Sequence, residues 1–344
     1  MLSFSIIIVT WNALPHLKNF LPSVVETKYP DYEIILADNA STDQSVKWVK
    51  QHYPKVKIVK LDKNYGYCGG NNKAASYASG DIIIFLNNDV RVREDWLHPI
   101  NKTFSNAHTT AAVQPKILSY KEPGLFEYAG AAGGFIDKHG FPFCRGRLFE
   151  TVEKDMGQYD EDINLFWTSG ASLAIRKTVF EELGGFDEDF KFHMEEIDLC
   201  WRLLNAGYNI KSCTKSLVFH LGGGSLPRSS PRKTYYNYRN SLMMLWKNYS
   251  KETLFPRFVG RLYLDFMAAL RALFTGKMKN LIAITKAHLH FWKTFNATNK
   301  KRRKLQKKRK KIDDPKEMYK KDIISAYFFK NKKKYSDLKK NKKP

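Results

Sequence analysis

The sequence predicts an α/β fold built around a mostly parallel central sheet that is flanked by helices. Short β-branched apolar runs alternate with helical segments over the first hundred residues, which is the pattern of consecutive strand, helix and strand units. Polar residues gather where these apolar runs end. In open parallel sheets ligands bind outside the carboxyl ends of the strands, so the sequence also predicts one ligand cleft at that edge.

The predicted elements follow from the spacing of apolar residues. Strands are expected at Phe4–Thr10, Tyr32–Asp38, 56–61 and 81–87. Helices are expected near 14–28, 41–53 and 69–79, and further along at 178–184 and 195–206, where glycines mark their ends. Residues 105–165 are rich in glycine, proline and aromatic residues and lack clear periodicity, which predicts loops and short strands around a substrate pocket.

The positive charge of the chain is concentrated in its last third. The 344 residues carry a net charge of +24, and residues 231–344 hold 33 Lys and Arg against 7 Asp and Glu, so residues 1–230 are close to neutral. We expect a folded body at 1–230, an amphipathic helical region at 231–299 and a Lys-rich tail at 300–344 that is too charged to fold alone. Such an extension favours an anionic partner, either a membrane leaflet or nucleic acid.

The sequence predicts a cytoplasmic protein that contacts the inner face of the cell membrane peripherally. The first apolar run is too short for a signal peptide, and charges such as Arg261 and Lys277 interrupt the most hydrophobic C-terminal region before it reaches about 18 apolar residues. The four cysteines have no metal-ligand spacing and do not suggest a disulfide scaffold. The apolar and cationic residues after 230 suit a membrane interface better than nucleic acid, although 300–344 can also be read as a solvated extension.

Two loops of the first half are candidates for nucleotide binding. Asp38 ends a strand, where its carboxylate can accept hydrogen bonds from a ribose or a base N–H, although a simple turn explains it equally well. Residues 64–72 combine glycines with amides before a predicted helix, whose N-terminus can face a phosphate or a sugar. Their glycine spacing is neither that of the dinucleotide-binding motif nor that of the P-loop, which argues against a dehydrogenase and a P-loop NTPase.

A divalent cation is expected directly after the strand at 81–87. Asp89 closes the triplet Asn87-Asn88-Asp89, and Mg²⁺ or Mn²⁺ needs only one or two protein carboxylates when waters and substrate phosphates complete its shell. The same triplet is also typical of a turn. His220 ends a later apolar run before a glycine-rich turn, so it is either structural or part of the metal site.

The most acidic cluster of the chain begins the helix predicted at 195–206. Glu195, Glu196 and Asp198 lie in its first turn, and Arg202 follows on the face of Glu195 and Asp198. Three carboxylates at this position can simply complement the helix dipole. They can also supply a general base that removes a proton from an acceptor hydroxyl, with a neighbouring acid or Arg202 fixing its orientation.

Seven segments between residue 3 and about residue 225 form an ordered series: SIIIVTWNALPHLKNFLPSV, EIILADNASTDQSV, LDKNYGYCGGNN, GDIIIFLNNDV, TSGASLAIRKTVFEELGGFDEDF, EEIDLCWRLLNAGY and VFHLGGGS. In this order they resemble glycosyltransferase family 2 of the GT-A fold, and especially its bacterial rhamnosyltransferase-like members. The resemblance implies that 1–230 is the catalytic domain, with a nucleotide-sugar-binding half at 1–104 and an acceptor-binding half at 105–230.

The resemblance also implies a role for each matching position. The residues around the donor are Thr10, Asn12, Asp38, Asn64, Gly70, Asn87, Asn88 and Asp89. Asp89 falls in the family's metal motif, where Asn87 replaces the first aspartate, and His220 matches a position that often reaches the metal or diphosphate. Trp167, Ser169 and Gly170 lie beside the acceptor. Glu196 occupies the usual position of the catalytic base, where family members commonly carry aspartate, and Glu195 or Asp198 can share that role.

The reaction implied is an inverting transfer of a sugar from a nucleotide-diphosphate donor to a hydroxyl of a glycan or lipid-linked glycan in cell-surface polysaccharide synthesis. The family resemblance favours dTDP-rhamnose as the donor, and a UDP-sugar is the alternative donor. The implied cofactor is Mg²⁺ or Mn²⁺. Two other classes compete with this interpretation: a nucleotidyltransferase of related fold, and a protein that binds nucleic acid through the tail. Nothing in 1–230 supports the second.

Overall fold

Eight strands form the central sheet of the protein, which the computed structural model describes over residues 1–222, 230–311 and 313–339. In chain order the strands are β1 (Phe4–Thr10), β2 (Tyr32–Asp38), β3 (Lys57–Lys60), β4 (Ile82–Leu86), β5 (Val90–Val92), β6 (Thr110–Ser119), β7 (Gly134–Ile136), β8 (Pro142–Cys144), β9 (Arg147–Leu148), β10 (Thr151–Val152), β11 (Ser172–Arg176) and β12 (Asn209–His220). Strands β7 to β10 form a separate, small antiparallel sheet.

The central sheet has the order β3-β2-β1-β4-β11-β6-β12-β5. Strands β1 to β4 pair in parallel, whereas β11 runs antiparallel to β4 and β6, and β5 runs antiparallel to β12. Alternate strand residues enter two hydrophobic layers, with Ile7 and Ile35 on one face and Ile6 and Leu36 on the other. The predicted α/β class with a mostly parallel sheet covered on both faces is therefore confirmed.

The helices are α1 (Leu14–Val25), α2 (Ser45–His52), α3 (Gly66–Ala75), α4 (Leu97–Ser105), α5 (Lys177–Glu182), α6 (Glu195–Asn205), α7 (Pro231–Asn248), α8 (Lys251–Phe274), α9 (Met278–Lys293), α10 (Phe295–Lys308) and α11 (Tyr335–Lys339), with a π-helical turn at Ser325–Phe329. The first four predicted strands agree to within one residue. Helix α2 begins four residues later than predicted, because the side chain of Asn12 accepts hydrogen bonds from the backbone N–H groups of Thr42 and Asp43 and holds this segment as a loop.

Four helices, α7 to α10, follow the catalytic body and pack against it. Trp201 of α6 packs edge-on against Tyr249 with ring centroids 4.8 Å apart, and Asn248 donates a hydrogen bond to Asp198. Helix α10 continues to Lys308 and so crosses the boundary expected at residue 300. Within the described ranges none of the helices has both the length and the apolar composition that a bilayer crossing requires.

The Lys-rich segment after residue 312 folds back onto the acceptor half. The backbone N–H of Tyr319 donates to the carbonyl of Ile136, and the backbone N–H of Ile323 donates to the Asp137 carboxylate. Apolar side chains of the segment are buried there, namely Met318, Ile323, Ala326, Tyr327, Tyr335 and Leu338. The alternative of a solvated extension is therefore wrong for the described residues, because apolar residues spaced among the lysines join the hydrophobic core.

Candidate active site

The polar clusters that follow β1, β2 and β4 meet at the carboxyl edge of the sheet, as the sequence predicted. The backbone N–H of Asn39 donates to the Thr10 carbonyl at 2.8 Å, and the backbone N–H of Asn12 donates to Ser41 Oγ at 3.0 Å. Asn88 Nδ2 lies 3.4 Å from Thr10 Oγ1 and joins the third strand end to the first. Parallel pairing of the strands places these residues side by side.

Two residues at this edge of the sheet have strained backbone conformations. Asn12 and Ala40 adopt the left-handed conformation, with φ of 48° and 61°, which costs residues other than glycine on the order of 1–3 kcal/mol. The strain is held by the hydrogen bonds of the Asn12 side chain to the 42–43 backbone. Asp38 is buried and accepts a hydrogen bond from the Ser41 backbone N–H at 3.0 Å, so it organises this loop in addition to any contact with a donor.

The glycine-rich segment 64–72 is fixed by Asn39, a residue that the sequence interpretation did not single out. Its Oδ1 accepts from the Tyr65 backbone N–H at 2.8 Å and its Nδ2 donates to the Gly66 carbonyl at 3.0 Å. Asn64 accepts a hydrogen bond from the Gly66 backbone N–H. Gly70 is buried, and a Cβ there would lie 2.9 Å from Val9 Cγ1. Gly70 therefore permits close packing of α3 on β1, and Asn64 shapes the turn before α3.

Asp89 and His220 form a buried pair next to this edge. His220 Nε2 lies 3.2 Å from Asp89 Oδ1, and His220 Nδ1 lies 3.4 Å from Glu127 Oε1. Burial lowers the pKa of His220, but hydrogen bonds and charge attraction from Asp89 and Glu127 outweigh it and raise the pKa to about 10. Burial raises the pKa of Asp89, but the hydrogen bond and the charge of His220 outweigh burial, so the pKa of Asp89 is lowered overall. Glu127 was missed because it lies in the aperiodic region 105–165.

A cleft of about 590 Å³ joins this pair to the acidic helix. Among its walls are six residues predicted from the sequence, namely Asn87, Ser169, Gly170, Glu195, Glu196 and His220. Tyr67 and His193 also line it, and the Tyr67 hydroxyl donates to the Gly170 carbonyl at 2.9 Å. The donor edge, the predicted acceptor loop and the acidic residues thus face one space.

Glu195 and Glu196 differ in their electrostatic environment. Burial and the neighbouring Glu196 raise the pKa of Glu195 well above its ordinary value. Burial raises the pKa of Glu196 to about 7. Each carboxyl has one buried oxygen, Oε2, without a hydrogen-bond partner among the described residues. A buried pair whose pKa values are separated in this way is typical of groups that transfer protons.

Nine predicted residues do not line the cleft, namely Thr10, Asn12, Asp38, Asn64, Gly70, Asn88, Asp89, Trp167 and Asp198. Two of them, Asp198 and Trp167, are held inside the protein. Asp198 is fully buried, and its carboxylate is bonded to Arg202 at 2.9 Å, Lys247 at 2.9 Å and Asn248 at 2.7 Å. Trp167 is buried, and its indole N–H donates to the Phe135 carbonyl. The position of Asp198 therefore does not support a shared role as base, and the position of Trp167 does not support direct contact with the acceptor. Both side chains form their hydrogen bonds inside the protein.

Within the described residues, Asp89 and His220 do not belong to a preformed metal site. Across the described ranges no group of three or more His, Cys, Asp or Glu side chains is arranged to hold a metal ion. A substrate diphosphate and waters can complete the shell of a cation that has few protein ligands. Asp89 offers the anionic oxygen that such a cation prefers, whereas His220, with a pKa of about 10, must lose its proton before it can bind one.

The family model described as glycosyl transferase family 2 matches residues 5–184 of the chain. This protein belongs to glycosyltransferase family 2. The match covers β1 to α5 and includes the strand ends, the glycine-rich segment and the predicted acceptor loop at 167–170. The resemblance drawn from the seven motifs is confirmed.

Curated relatives of this family 2 member are named for O-antigen biosynthesis or for rhamnosyl transfer. The chain is 30% identical over 63% of its length to the O-antigen biosynthesis protein RfbC of Myxococcus xanthus, of which it spans 17%. It is 26% identical over 82% of its length to dTDP-rhamnosyl transferase RfbF of Shigella flexneri, of which 92% is covered. It is 25% identical over 71% of its length to N-acetylglucosaminyl-diphospho-decaprenol L-rhamnosyltransferase of Mycobacterium tuberculosis, of which 84% is covered.

Solved glycosyltransferases share the fold of this family 2 chain. The structure of GalNAc-T7 with UDP, GalNAc and Mn²⁺ aligns with a TM-score of 0.58 at 18% identity over 74% of this chain and 49% of that one. Residues 1–349 of TarS from S. aureus with UDP-GlcNAc align with a TM-score of 0.56 at 14% identity over 89% and 90% of the two chains. Because these sequence identities are low, the structural similarity establishes only the fold, which is GT-A.

Proposed function

We propose that this protein is an inverting glycosyltransferase that moves a sugar from a nucleotide-diphosphate donor to a hydroxyl of a glycan or lipid-linked glycan during cell-surface polysaccharide synthesis. One observation carries the proposal. Glu195 and Glu196 line the same cleft as Asn87 and His220. A base for the acceptor and a site for the leaving diphosphate therefore face the same space.

Glu196 is the base in this proposal. Its pKa of about 7 makes it ionised in part at neutral pH, whereas the pKa of Glu195 is raised further by the charge of Glu196. The Glu196 carboxylate accepts the proton of the acceptor hydroxyl while the hydroxyl oxygen forms a bond to the anomeric carbon. The bond from that carbon to the diphosphate oxygen breaks on the opposite face, which inverts the configuration. A positioned base typically contributes about 10² to 10⁴ in rate.

The donor lies at the carboxyl edge of β1, β2 and β4, with Thr10, Asn12 and Asp38 near the nucleoside and 87–89 near the diphosphate. Asn64 and Gly70 act through the loop and helix that they shape rather than by direct contact. The name of the Shigella relative supports dTDP-rhamnose as the donor. The UDP bound in the GalNAc-T7 and TarS structures supports a UDP-sugar as the other candidate.

Asp89, together with His220, would hold the divalent cation, which is Mg²⁺ or Mn²⁺. The Mn²⁺ present in the GalNAc-T7 structure supports this assignment, and so does the buried carboxylate of Asp89 beside the His220 imidazole, which lines the cleft. When bound, the cation neutralises negative charge on the departing diphosphate. Asp89 supplies the anionic ligand, and Asn87 and Asn88 orient the strand end around it.

The proposed location is the cytoplasmic face of the cell membrane, with peripheral attachment. This location suits a lipid-linked acceptor, such as the one in the name of the mycobacterial relative. The exposed apolar and cationic residues after 250 support it.

A donor screen tests the proposed function. The purified full chain is incubated with UDP-, dTDP- and GDP-sugars and Mn²⁺ or Mg²⁺, with and without lipid-linked glycan, and both nucleotide diphosphate and sugar 1-phosphate are measured. We expect nucleotide diphosphate from one donor, lost with EDTA and in Asp89→Ala, and transfer to the acceptor lost in Glu196→Gln. Asp95→Asn, at an exposed aspartate, is the matched control that keeps activity. Release of sugar 1-phosphate instead, by transfer of the nucleotidyl group, would identify a nucleotidyltransferase and overturn the proposal.

A further inference from the structure

Helices α8 and α9 expose an apolar face that the body of the protein does not cover. On α8 the side chains of Phe255, Tyr263, Phe266 and Phe274 are between 58% and 83% exposed. On α9 Leu289 and Trp292 are 65% and 50% exposed. We call these six residues the hairpin face. Soluble proteins rarely leave so many large apolar side chains together in water without a partner.

In its middle turns, helix α8 buries two charged side chains and exposes two aromatic rings. Arg261 and Asp265 are buried and pair with each other at 2.7 Å, and the second Asp265 oxygen lies 3.1 Å from His288 of α9. Phe266 and Tyr263, their neighbours in sequence, point outward. A helix packed only against its own protein in water is expected to expose its charges and bury its aromatic residues. The arrangement indicates that the outer face of α8 meets an apolar environment.

A row of lysines borders this face on α9. Lys279, Lys286 and Lys293 recur every seven residues and are exposed, so they lie on one side of the helix. Leu289 and Trp292 lie beside that row at helical spacing. Helices with aromatic and aliphatic residues on one face and lysines along its border bind in the interface of membranes that contain anionic lipid.

We propose that the hairpin face docks on an anionic lipid leaflet, with the apolar side chains of α8 and α9 in the interfacial layer and the α9 lysines at the headgroups. The inference rests on the membrane location included in the proposed function, and it assigns that location to a surface outside the cleft. Residues 313–339 fold against the body through bonds to Asp137 and Glu153, and the proposal assigns docking to the hairpin face rather than to this segment.

The charge of the surface favours lipid over a second copy of the chain. In a two-fold symmetric dimer, the hairpin face of one copy would pack against the hairpin face of the other copy. Lys279, Lys286 and Lys293 of both copies would then lie within or around one interface, and lysine is depleted in the cores of protein interfaces. An anionic leaflet neutralises the same lysines.

The test measures binding of the full chain to vesicles in the absence of donor and acceptor. Vesicles of phosphatidylcholine are compared with vesicles that also contain phosphatidylglycerol, by flotation. We expect binding to the anionic vesicles, and in the double variant Phe255→Ser, Phe274→Ser a partition coefficient lower by about ten-fold or more. The triple variant Lys279→Gln, Lys286→Gln, Lys293→Gln should lose roughly five-fold for each lysine on anionic vesicles only.

Matched controls change the same residue types elsewhere. Tyr77→Ser with Met156→Ser removes exposed apolar side chains, and Lys47→Gln with Lys50→Gln and Lys60→Gln removes exposed lysines near α2 and β3. Both control variants should bind like the unchanged protein, and all variants should keep donor hydrolysis in solution. That activity reports on the proposed function separately from vesicle binding.

Equal binding of the serine variant and the unchanged protein would overturn the proposal, as would equal binding to neutral and anionic vesicles. A concentration-dependent dimer that Phe255→Ser, Phe274→Ser converts to a monomer, without vesicle binding by either protein, would identify a second copy as the occupant of the face and would also overturn it.

Discussion

Two adjacent carboxyls, Glu195 and Glu196, have different proton affinities although they share the first turn of one helix. Glu195 is buried and Glu196 is half-buried beside the cleft. Asp198 instead is bonded to Arg202 and Lys247, so removing its charge would leave cations buried and unpaired. The ion pairs of Asp198 therefore give it a structural role on α6 that differs from the role proposed for Glu196.

The pH dependence of transfer should report on Glu196. Burial raises its pKa from an ordinary value of 4.5 to about 7, and only the ionised form accepts a proton. With saturating substrates, kcat should fall about ten-fold for each pH unit below 7 and level off above it, and this limb should be absent from the residual rate of Glu196→Gln. A kcat that continues level down to pH 5 would contradict the assignment.

The same shift affects stability with the opposite sign. Since the folded pKa lies above the unfolded one, the folded protein gains stability from the neutral carboxyl below about pH 4.5 and loses it as the pH rises through 7. Glu196→Gln is therefore expected to raise the free energy of unfolding at pH 8 by on the order of 1–3 kcal/mol while it lowers the rate of transfer by about 10² to 10⁴. Urea unfolding at pH 5 and pH 8 measures the difference.

At the scale of elements, helix α7 fixes the loop that leads into the acidic helix. Asn240 is fully buried, and its Nδ2 donates to the carbonyls of Phe192 and His193 at 2.7 and 2.8 Å. Arg239 donates to the Asp189 carbonyl and to Asn240 Oδ1. His193 and Met194 adopt left-handed φ values of 65° and 74°. Helix α7 holds this strained segment in place, and the segment sets the direction in which α6 presents Glu195 and Glu196.

Asn240 should therefore act as a positioning residue. Asn240→Ala leaves two buried carbonyls without a donor, so we expect kcat for transfer to fall about ten-fold or more, while the donor KM stays within about two-fold. Steady-state kinetics of both substrates measure this split. Asn299→Ala is the matched control, because it removes a hydrogen bond of similar length to Trp246 in the same helical region. If both variants lower the melting temperature and leave kcat unchanged, Asn240 is only structural.

At the scale of the whole molecule, the C-terminal segment packs against the small sheet of β7 to β10. The Tyr335 backbone N–H donates to Glu153, and the Tyr327 hydroxyl bonds to Thr151 at 2.8 Å. The ring of Tyr335 packs against Phe135 and Phe143 of the small sheet. Sequence positions almost 200 residues apart thereby form one hydrophobic layer.

Removing residues 312–344 should destabilise the protein strongly. The truncation exposes Phe135 and Phe143 and deletes the buried side chains of Met318, Ile323 and Tyr327, each worth about 1.5–3 kcal/mol when buried. We expect the melting temperature to fall by about 10 °C or more, measured by calorimetry. Lys316→Gln with Lys320→Gln and Lys321→Gln, at exposed positions of the same segment, should keep the melting temperature. An unchanged melting temperature after truncation would contradict the packing described here.

Local sequence signals determined much of the first half of the chain. β-branched runs with polar residues at their ends placed β1, β2, β3 and β4 to within one residue, and parallel pairing then required their ends to meet. The prediction was less accurate for α2, because Asn12, 30 residues away, holds 42–43 out of the helix. Glu127 and Asn39 act through partners that are distant in sequence, so no local pattern marked them.

The sequence by itself determined the fold class, the family and the short segments that carry the chemistry, because these depend on local periodicity and on motifs of adjacent residues. Only the tertiary structure decided which of those residues share the cleft. It placed Asp198 and Trp167 inside the protein, gave Gly70 a packing role and folded the Lys-rich segment onto the small sheet. Burial, ion pairing and pKa depend on neighbours from other elements, and long-range packing alone brings those neighbours together.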